Sequence, residues 1–188
     1  MTEAKLREQY RGLSRQELLD KAYKLGRDFE MKSHVCSQST VAALHELLEI
    51  DDMVVKVSTS LCGGSALQGV GTCGALAGGC IVLDYYFGRP VEKMSYQERI
   101  QANIDSVDAA FEAPMLIADK YWKEYGTIIC AQIQRQLFGR FFYLIDLEEF
   151  ENLEKAGAHS DPKKCGHIVG NAARWVMEVL LDKGAIKL

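Results

Sequence analysis

The sequence predicts an all-α protein, a single compact multi-helix domain in which a glycine-rich loop leads into a buried central helix. Three observations carry that prediction. Apolar residues recur at helical spacing in several segments, Ser-x-x-Glu capping signatures precede two of them, and the later part of the chain shows no alternating strand pattern. The length of 188 residues, 48% of them hydrophobic, is enough for one core by the usual span of roughly 100–200 residues per domain.

Ser14-Arg15-Gln16-Glu17 is a capping box followed by Leu18, Leu19, Ala22, Leu25 and Phe29, which predicts a first helix ending near Met31. The stripe Thr40, Ala43, Leu44, Leu47 and Leu48 predicts a second helix, with Asp51-Asp52 ending or restarting it. Residues 53–61 stay open: Val54, Val55 and Val57 favour strand, while the length and neighbours permit a helix. Seven of the 16 glycines fall within positions 63–79, the composition of a tight loop leading into a helix that other backbones approach closely. The apolar run 75–87 is that buried helix, and Gly88-Arg89-Pro90 breaks it.

Ser95-Tyr96-Gln97-Glu98 is a second capping box, opening a long helix through about Ala113, where Pro114 starts or kinks another. Ile129, Ile133, Leu137 and Phe138 mark the next helix. The acidic segment Asp146, Glu148, Glu149, Glu151 and Glu154 reads as a solvated helix face, with docking to a basic redox partner as the alternative. A last helix begins near Pro162, carries the stripe Val169, Ala172, Ala173, Val176, Met177 and Leu180, and ends at Gly184.

Charge and hydropathy exclude several functions. The net charge of −4, from 22 basic and 26 acidic residues with no basic block, lacks the footprint that neutralises phosphates, so no nucleic acid is expected. The first residues mix charges of both signs without an apolar run, as neither a signal peptide nor a lipid anchor does, and a cytoplasmic location is expected. Residues 57–83 are uncharged, but their glycines and polar residues make them too polar for a membrane span.

Against that ordinary background the six cysteines stand out. Structural disulfides are disfavoured in a reducing compartment, which leaves metal ligation, redox chemistry or burial. Positions 36, 62, 73, 80, 130 and 165 contain no C-x-x-C, no C-x-x-C-H and no ferredoxin run, so any metal site is assembled by the fold. Cys36, Cys73, Cys130 and Cys165 fall at predicted helix N-termini and on inward stripes, where the positive dipole end predicts a depressed thiol pKa. The plain alternative for each is core filling, since free cysteine is commonly buried. Cys80, seven residues after Cys73 on the same face, reads as core, and Cys62 before Gly63-Gly64 is a candidate fifth thiol.

His34 and His167 each lie two residues from one of these cysteines and read as surface or capping residues, with a ligand role as the alternative; His45 and His159 read as exposed. Gly69-Val70-Gly71-Thr72-Cys73-Gly74 fits the dinucleotide fingerprint G-x-G-x-x-G, but lacks a following acidic strand end and alternating strands.

At Cys73-Gly74-Ala75-Leu76-Ala77-Gly78 the chain resembles the redox-active protein family labelled C_GCAxxG_C_C, with Cys and the first Gly in the opposite order to the label. Cys36 matches the first cysteine, Cys73 the motif cysteine, Cys130 the third and Cys165 the fourth, over about residues 36–181. The resemblance implies a small, mostly helical, cytoplasmic redox protein. A related domain accompanies haem in split-Soret cytochromes, but without C-x-x-C-H the covalent haem does not carry over.

The leading expectation is an iron–sulfur protein in which Cys36, Cys73, Cys130 and Cys165 ligate one cluster and electrons pass to or from a partner protein. Whether the chain is an enzyme stays open: the alternative is a thiol–disulfide or small-molecule reductase using these cysteines directly. A structural zinc site is a third reading. Residues 1–35 are expected to form an N-terminal helical extension to a cysteine-motif domain of residues 36–188. A homodimer is compatible with the glycine-faced helix.

Overall fold

A computed structural model describes residues 3–94 and 101–188, with the backbone alone for 101–104. The capping box at Ser14 is present, its hydroxyl accepting the Glu17 backbone N–H and the Glu17 carboxylate accepting the Ser14 N–H. From it runs α1 (Arg15–Ser33), two residues longer than the stripe implies, ending where His34 takes a left-handed conformation (φ 59°). Next come α2 (Cys36–Leu47) and α3 (Asp52–Val57), the latter capped by Asp51. The ambiguous stretch at 53–61 is therefore helical, finishing in a 3-10 turn at Thr59–Leu61. The glycine loop leads into α4 (Gly74–Phe87), followed by α5 (Gln101–Tyr125), α6 (Cys130–Phe138), α7 (Leu147–Lys155) and α8 (Cys165–Asp182).

Among the described residues there are eight α-helices and no strand, only two isolated bridges, Leu6 with Leu48 and Thr72 with Ile129. The fold is all-α. Without strands, G-x-G-x-x-G has no βαβ unit to open. No described helix is long and apolar enough to cross a membrane.

The apolar helix α4 is central, packed by α2, α5 and α8. Val41, Leu44, Leu76, Leu83, Ile117, Val176, Met177 and Leu180 close the core around it. α1 lies antiparallel along α8, where Gly26 is pressed against the Val169 carbonyl and Ala173, and ion pairs Asp20–Arg174 and Arg15–Asp182 flank the seam.

Two expectations need correction. The helix expected to run through about Ala113 continues past Pro114, which lies inside α5 and starts no new helix, because Ala113, Ile117 and Tyr121 are buried on the core side and hold the helix across the missing N–H. The final helix starts at Cys165, after turns that follow Pro162. The capping box at Ser95 and Glu98 lies outside the described residues.

Gly74 and Gly78, one turn apart on α4, explain how α2 and α4 cross. A Cβ on Gly78 would fall on the backbone carbonyl of Ser37, and one on Gly74 would fall on the Cys36 sulfur and lie 3.0 Å from the Leu61 carbonyl. We expect Gly78→Ala to destabilise the protein by about 1–3 kcal/mol, the usual cost of overpacking. Urea denaturation checks this, and an unchanged midpoint would show that the helices do not meet at that glycine.

Candidate functional site

Four cysteines begin four helices. Cys36, Cys130 and Cys165 are the first residues of α2, α6 and α8, and Cys73 immediately precedes α4. All four line one cavity of about 60 Å³, and Cys62 lines it too. One water needs only about 10–15 Å³ on the same measure. Cys73 is buried, while the other four keep part of their surface, as side chains lining a cavity do. Cys80, deeper in α4, is not part of the lining.

The loop between Cys62 and Cys73 does the positioning. Gly63 through Leu67 all have positive φ, a left-handed turn in which Ser65, Ala66 and Leu67 are not glycine. The turn is tied by Gly69 N–H to the Gly63 carbonyl at 2.8 Å and Gly71 N–H to the Gly64 carbonyl at 3.0 Å. The carbonyls of Gly71 and Gly69 then accept the first backbone N–H groups of α6, from Cys130 (3.0 Å) and Ala131 (2.8 Å), and Cys73 N–H reaches the Ile128 carbonyl at 2.7 Å. One loop thus caps α6 and tethers the start of α4 beside it. Gln134, one turn after Cys130, donates to its sulfur at 3.5 Å and accepts the Phe142 N–H at 2.9 Å.

The thiol electrostatics reverse the sequence-based expectation. Every one of the four has its pKa raised. The hydrogen bond that Cys36 donates to the Cys62 sulfur, at 3.6 Å, holds the Cys36 proton, and burial adds to it. Burial pushes Cys73 up to about 12, Cys36 adding to the rise and the N–H groups of Ala75 and Leu76 opposing it without a full capping hydrogen bond. Burial also dominates at Cys130 and Cys165, reinforced by neighbouring thiols and, for Cys165, first by the Glu30 carboxylate. Desolvation and crowding of groups that would all be negative outweigh the helix ends. Outside the cavity, Cys80 is likewise raised to about 12 by burial and Asp84.

Several lining residues escape the sequence reading. Glu30 closes the buried stripe Ala22, Gly26, Glu30 on α1 and is 1% exposed; a stripe of period four ending in a charge was the available signal. His159, expected at the surface, is buried at 8% exposure, because its ring lies between two carboxylates. Its Nδ1 is 2.5 Å from Glu154 Oε1 and its Nε2 is 3.4 Å from Glu30 Oε1. Burial opposes its protonation, yet the two carboxylates prevail and raise its pKa. Glu154 thus turns inward from the acidic segment. His34 stacks on His159 with ring centroids 4.1 Å apart. His167 instead is bonded to the Tyr23 hydroxyl at 2.8 Å and the Asn171 amide at 3.1 Å, away from the cavity lining. The Tyr121 hydroxyl is fully buried near the Cys73 sulfur, with no oxygen or nitrogen partner among the described residues.

Residues 34–179 match the profile of a family described as Putative redox-active protein (C_GCAxxG_C_C). The chain belongs to this family. The match spans all six cysteines and stops short of α1, although α1 packs into the same core and supplies Glu30 to the cavity. Comparison with curated proteins gives no significant match, and neither does comparison with solved structures. In this C_GCAxxG_C_C protein the motif has a structural meaning: Cys73 lines the cavity, and Gly74 and Gly78 let α4 touch the turn of α2 that carries Cys36.

Raised thiol pKa values fix a pH dependence. The folded state holds these protons more tightly than the unfolded chain, in which cysteine titrates near about 8.5. Their contribution to stability is therefore complete below that pH and is lost as the pH climbs toward the folded values. His159 acts in the same direction from about pH 6.5, the ordinary histidine value. For the reduced, metal-free protein we expect the urea midpoint to fall through both ranges and iodoacetamide to alkylate Cys36, Cys73, Cys130 and Cys165 slowly near neutral pH. Rapid alkylation of any of these four below about pH 8, located by peptide mapping, would contradict this assignment.

Proposed function

We propose that this chain is an iron–sulfur redox protein in which Cys36, Cys73, Cys130 and Cys165 hold one cluster, exchanging electrons with a partner protein. One observation supports the reading above others: four thiols from four separate helix starts open into a single cavity. Their chemistry fits. Buried, protonated thiols are poor nucleophiles, because the thiolate is the attacking species, whereas a metal centre supplies the positive charge that deprotonates coordinating thiols outright. The cluster would provide one-electron chemistry. Gln134, aimed at the Cys130 sulfur, and the Gly63 N–H, which favours the charged form of Cys36, are the kind of donors that tune such a centre's potential.

A second reading has its own observation. Cys36 and Cys62 sulfurs are 3.6 Å apart, so this pair suits a reductase in which both thiols lose their protons and two electrons to an oxidised substrate and join as a disulfide. In either case we place the protein in the cytoplasm, with residues 1–35 as an extension that contributes Glu30 to a site built by residues 36–188.

Anaerobic reconstitution with iron and sulfide tests the proposal. The expected result is a coloured protein with bound iron, and Cys36→Ser, Cys73→Ser, Cys130→Ser and Cys165→Ser should each lower cluster content severely while Cys80→Ser leaves it intact. A colourless product, or equal loss at Cys80, would overturn it. A reversible Cys36–Cys62 disulfide in metal-free protein would favour the reductase.

A further inference from the structure

Beside the thiols lies a second constellation that the cluster reading does not use. Glu154 Oε1 is 2.5 Å from His159 Nδ1 and 3.5 Å from His34 Nδ1. All three ligand atoms lie within 4.8 Å of one another. The two imidazoles are stacked nearly parallel, at 9°. On the far side of the His159 ring, Nε2 faces Glu30 Oε1 at 3.4 Å. Glu30 is 1% exposed, and its other oxygen has no hydrogen-bond partner among the described residues.

This is the order of groups that a metal-bound histidine shows: a carboxylate behind the ring accepts one N–H, fixes the tautomer and turns the opposite nitrogen's lone pair outward. Without a cation His159 Nδ1 faces the Glu154 carboxylate at hydrogen-bond distance and Nε2 faces Glu30. A divalent cation would take the place of the Nδ1 proton, with Nδ1 and Oε1 parting from 2.5 Å to admit it. Two carboxylates and two imidazoles, neutral when a divalent ion joins them, also explain how Glu30 is tolerated in an apolar surround. His34, 40% exposed, and Glu154, 29% exposed, are in contact with solvent.

We infer that His34, His159 and Glu154 form a binding site for a divalent first-row transition cation of the zinc or ferrous type, with Glu30 as the residue that positions His159. Two imidazoles and one carboxylate suit such ions better than magnesium or calcium, which prefer all-oxygen sites. The three protein ligands leave a coordination position for water or a small ligand, as in catalytic rather than structural sites. The site stands independently of the cluster, since none of its ligands is a cysteine.

Cobalt(II) is the probe, because thiolate coordination gives strong near-ultraviolet charge-transfer absorption that nitrogen and oxygen ligands do not. Reduced, metal-free protein titrated anaerobically with Co²⁺ should bind one equivalent without that absorption, besides any held by thiols. His34→Ala and Glu154→Gln, both partly exposed and expected to fold with unchanged circular dichroism, should each abolish this equivalent and leave the thiolate band intact. Glu30→Gln should weaken it about 10–100-fold and move its weak visible bands. If all bound cobalt shows thiolate absorption, or the non-thiolate equivalent survives both His34→Ala and Glu154→Gln, the inference is wrong. Failure of the cluster reading would appear separately, as missing iron, and would leave this equivalent in place.

Discussion

The contact between the starts of α2 and α4 is the constraint from which the site follows. At Gly78 the α4 backbone lies under the Ser37 carbonyl of α2, and at Gly74 it lies under the Cys36 sulfur and the Leu61 carbonyl, with no room for a side chain at either glycine. Because the two glycines lie one turn apart on one face of α4, the first turn of that helix is fixed against both α2 and the chain that leads into the glycine loop. Cys36 and Cys73 are then neighbours by construction. Everything else about the cavity is arranged around this pair, with Cys130 brought in by the loop whose carbonyls cap α6 and Cys165 brought in by α8, which packs on α2 and α4.

Four thiols in one cavity create an electrostatic problem that helix geometry does not solve. Helix ends offer partial charges of about half a unit, effective over the first turn. Against them stand desolvation at four sites, mutual repulsion among the groups if they ionise, and the Glu30 carboxylate beside Cys36 and Cys165. Moreover, the first N–H groups of α6 are already engaged by Gly71 and Gly69, so the dipole end nearest Cys130 is spent on the loop. In the metal-free cavity burial and crowding therefore favour the protonated form of the four thiols, and only a compensating positive charge would favour their thiolates. On the iron–sulfur reading that asymmetry suits a ligand set, whereas a reactive thiol depends on a permanently electropositive surround.

Much of the fold is legible in the sequence because its signals are local. The capping box at Ser14, the stripes of α1, α2, α6 and α8, and the placement of four cysteines at helix starts all depend on residues within a turn or two of one another. What escapes is decided by contacts distant in the chain. His159 sits in a turn after α7 with no periodicity to give its direction, and it is buried among Glu154, the stacked His34 ring and Glu30, the last well over a hundred positions earlier. The sign of the thiol shifts is missed for the same reason: a helix start is visible in the sequence, whereas the number of other thiols and the carboxylate facing it are not. Pro114 shows the converse case, a strong local breaker overridden by the burial of Ala113, Ile117 and Tyr121 on either side.

The role of α1 follows from the same reasoning. It lies outside the family match, yet its seam with α8 is as intimate as that between α2 and α4, with Gly26 against the Val169 carbonyl and Gly170 against the Tyr23 ring. That closeness sets the height of α1 along α8 and hence where Glu30 arrives, one turn beyond Gly26 on the same face. A longer side chain at either glycine would lift the helix and withdraw the carboxylate from His159. The acidic group at the edge of the thiol cavity is thus placed by a helix-packing contact. On the iron–sulfur reading it adds a fixed negative charge near Cys36 and Cys165, which disfavours adding an electron to the centre and lowers its reduction potential unless His159, or a cation bound beside it, offsets that charge.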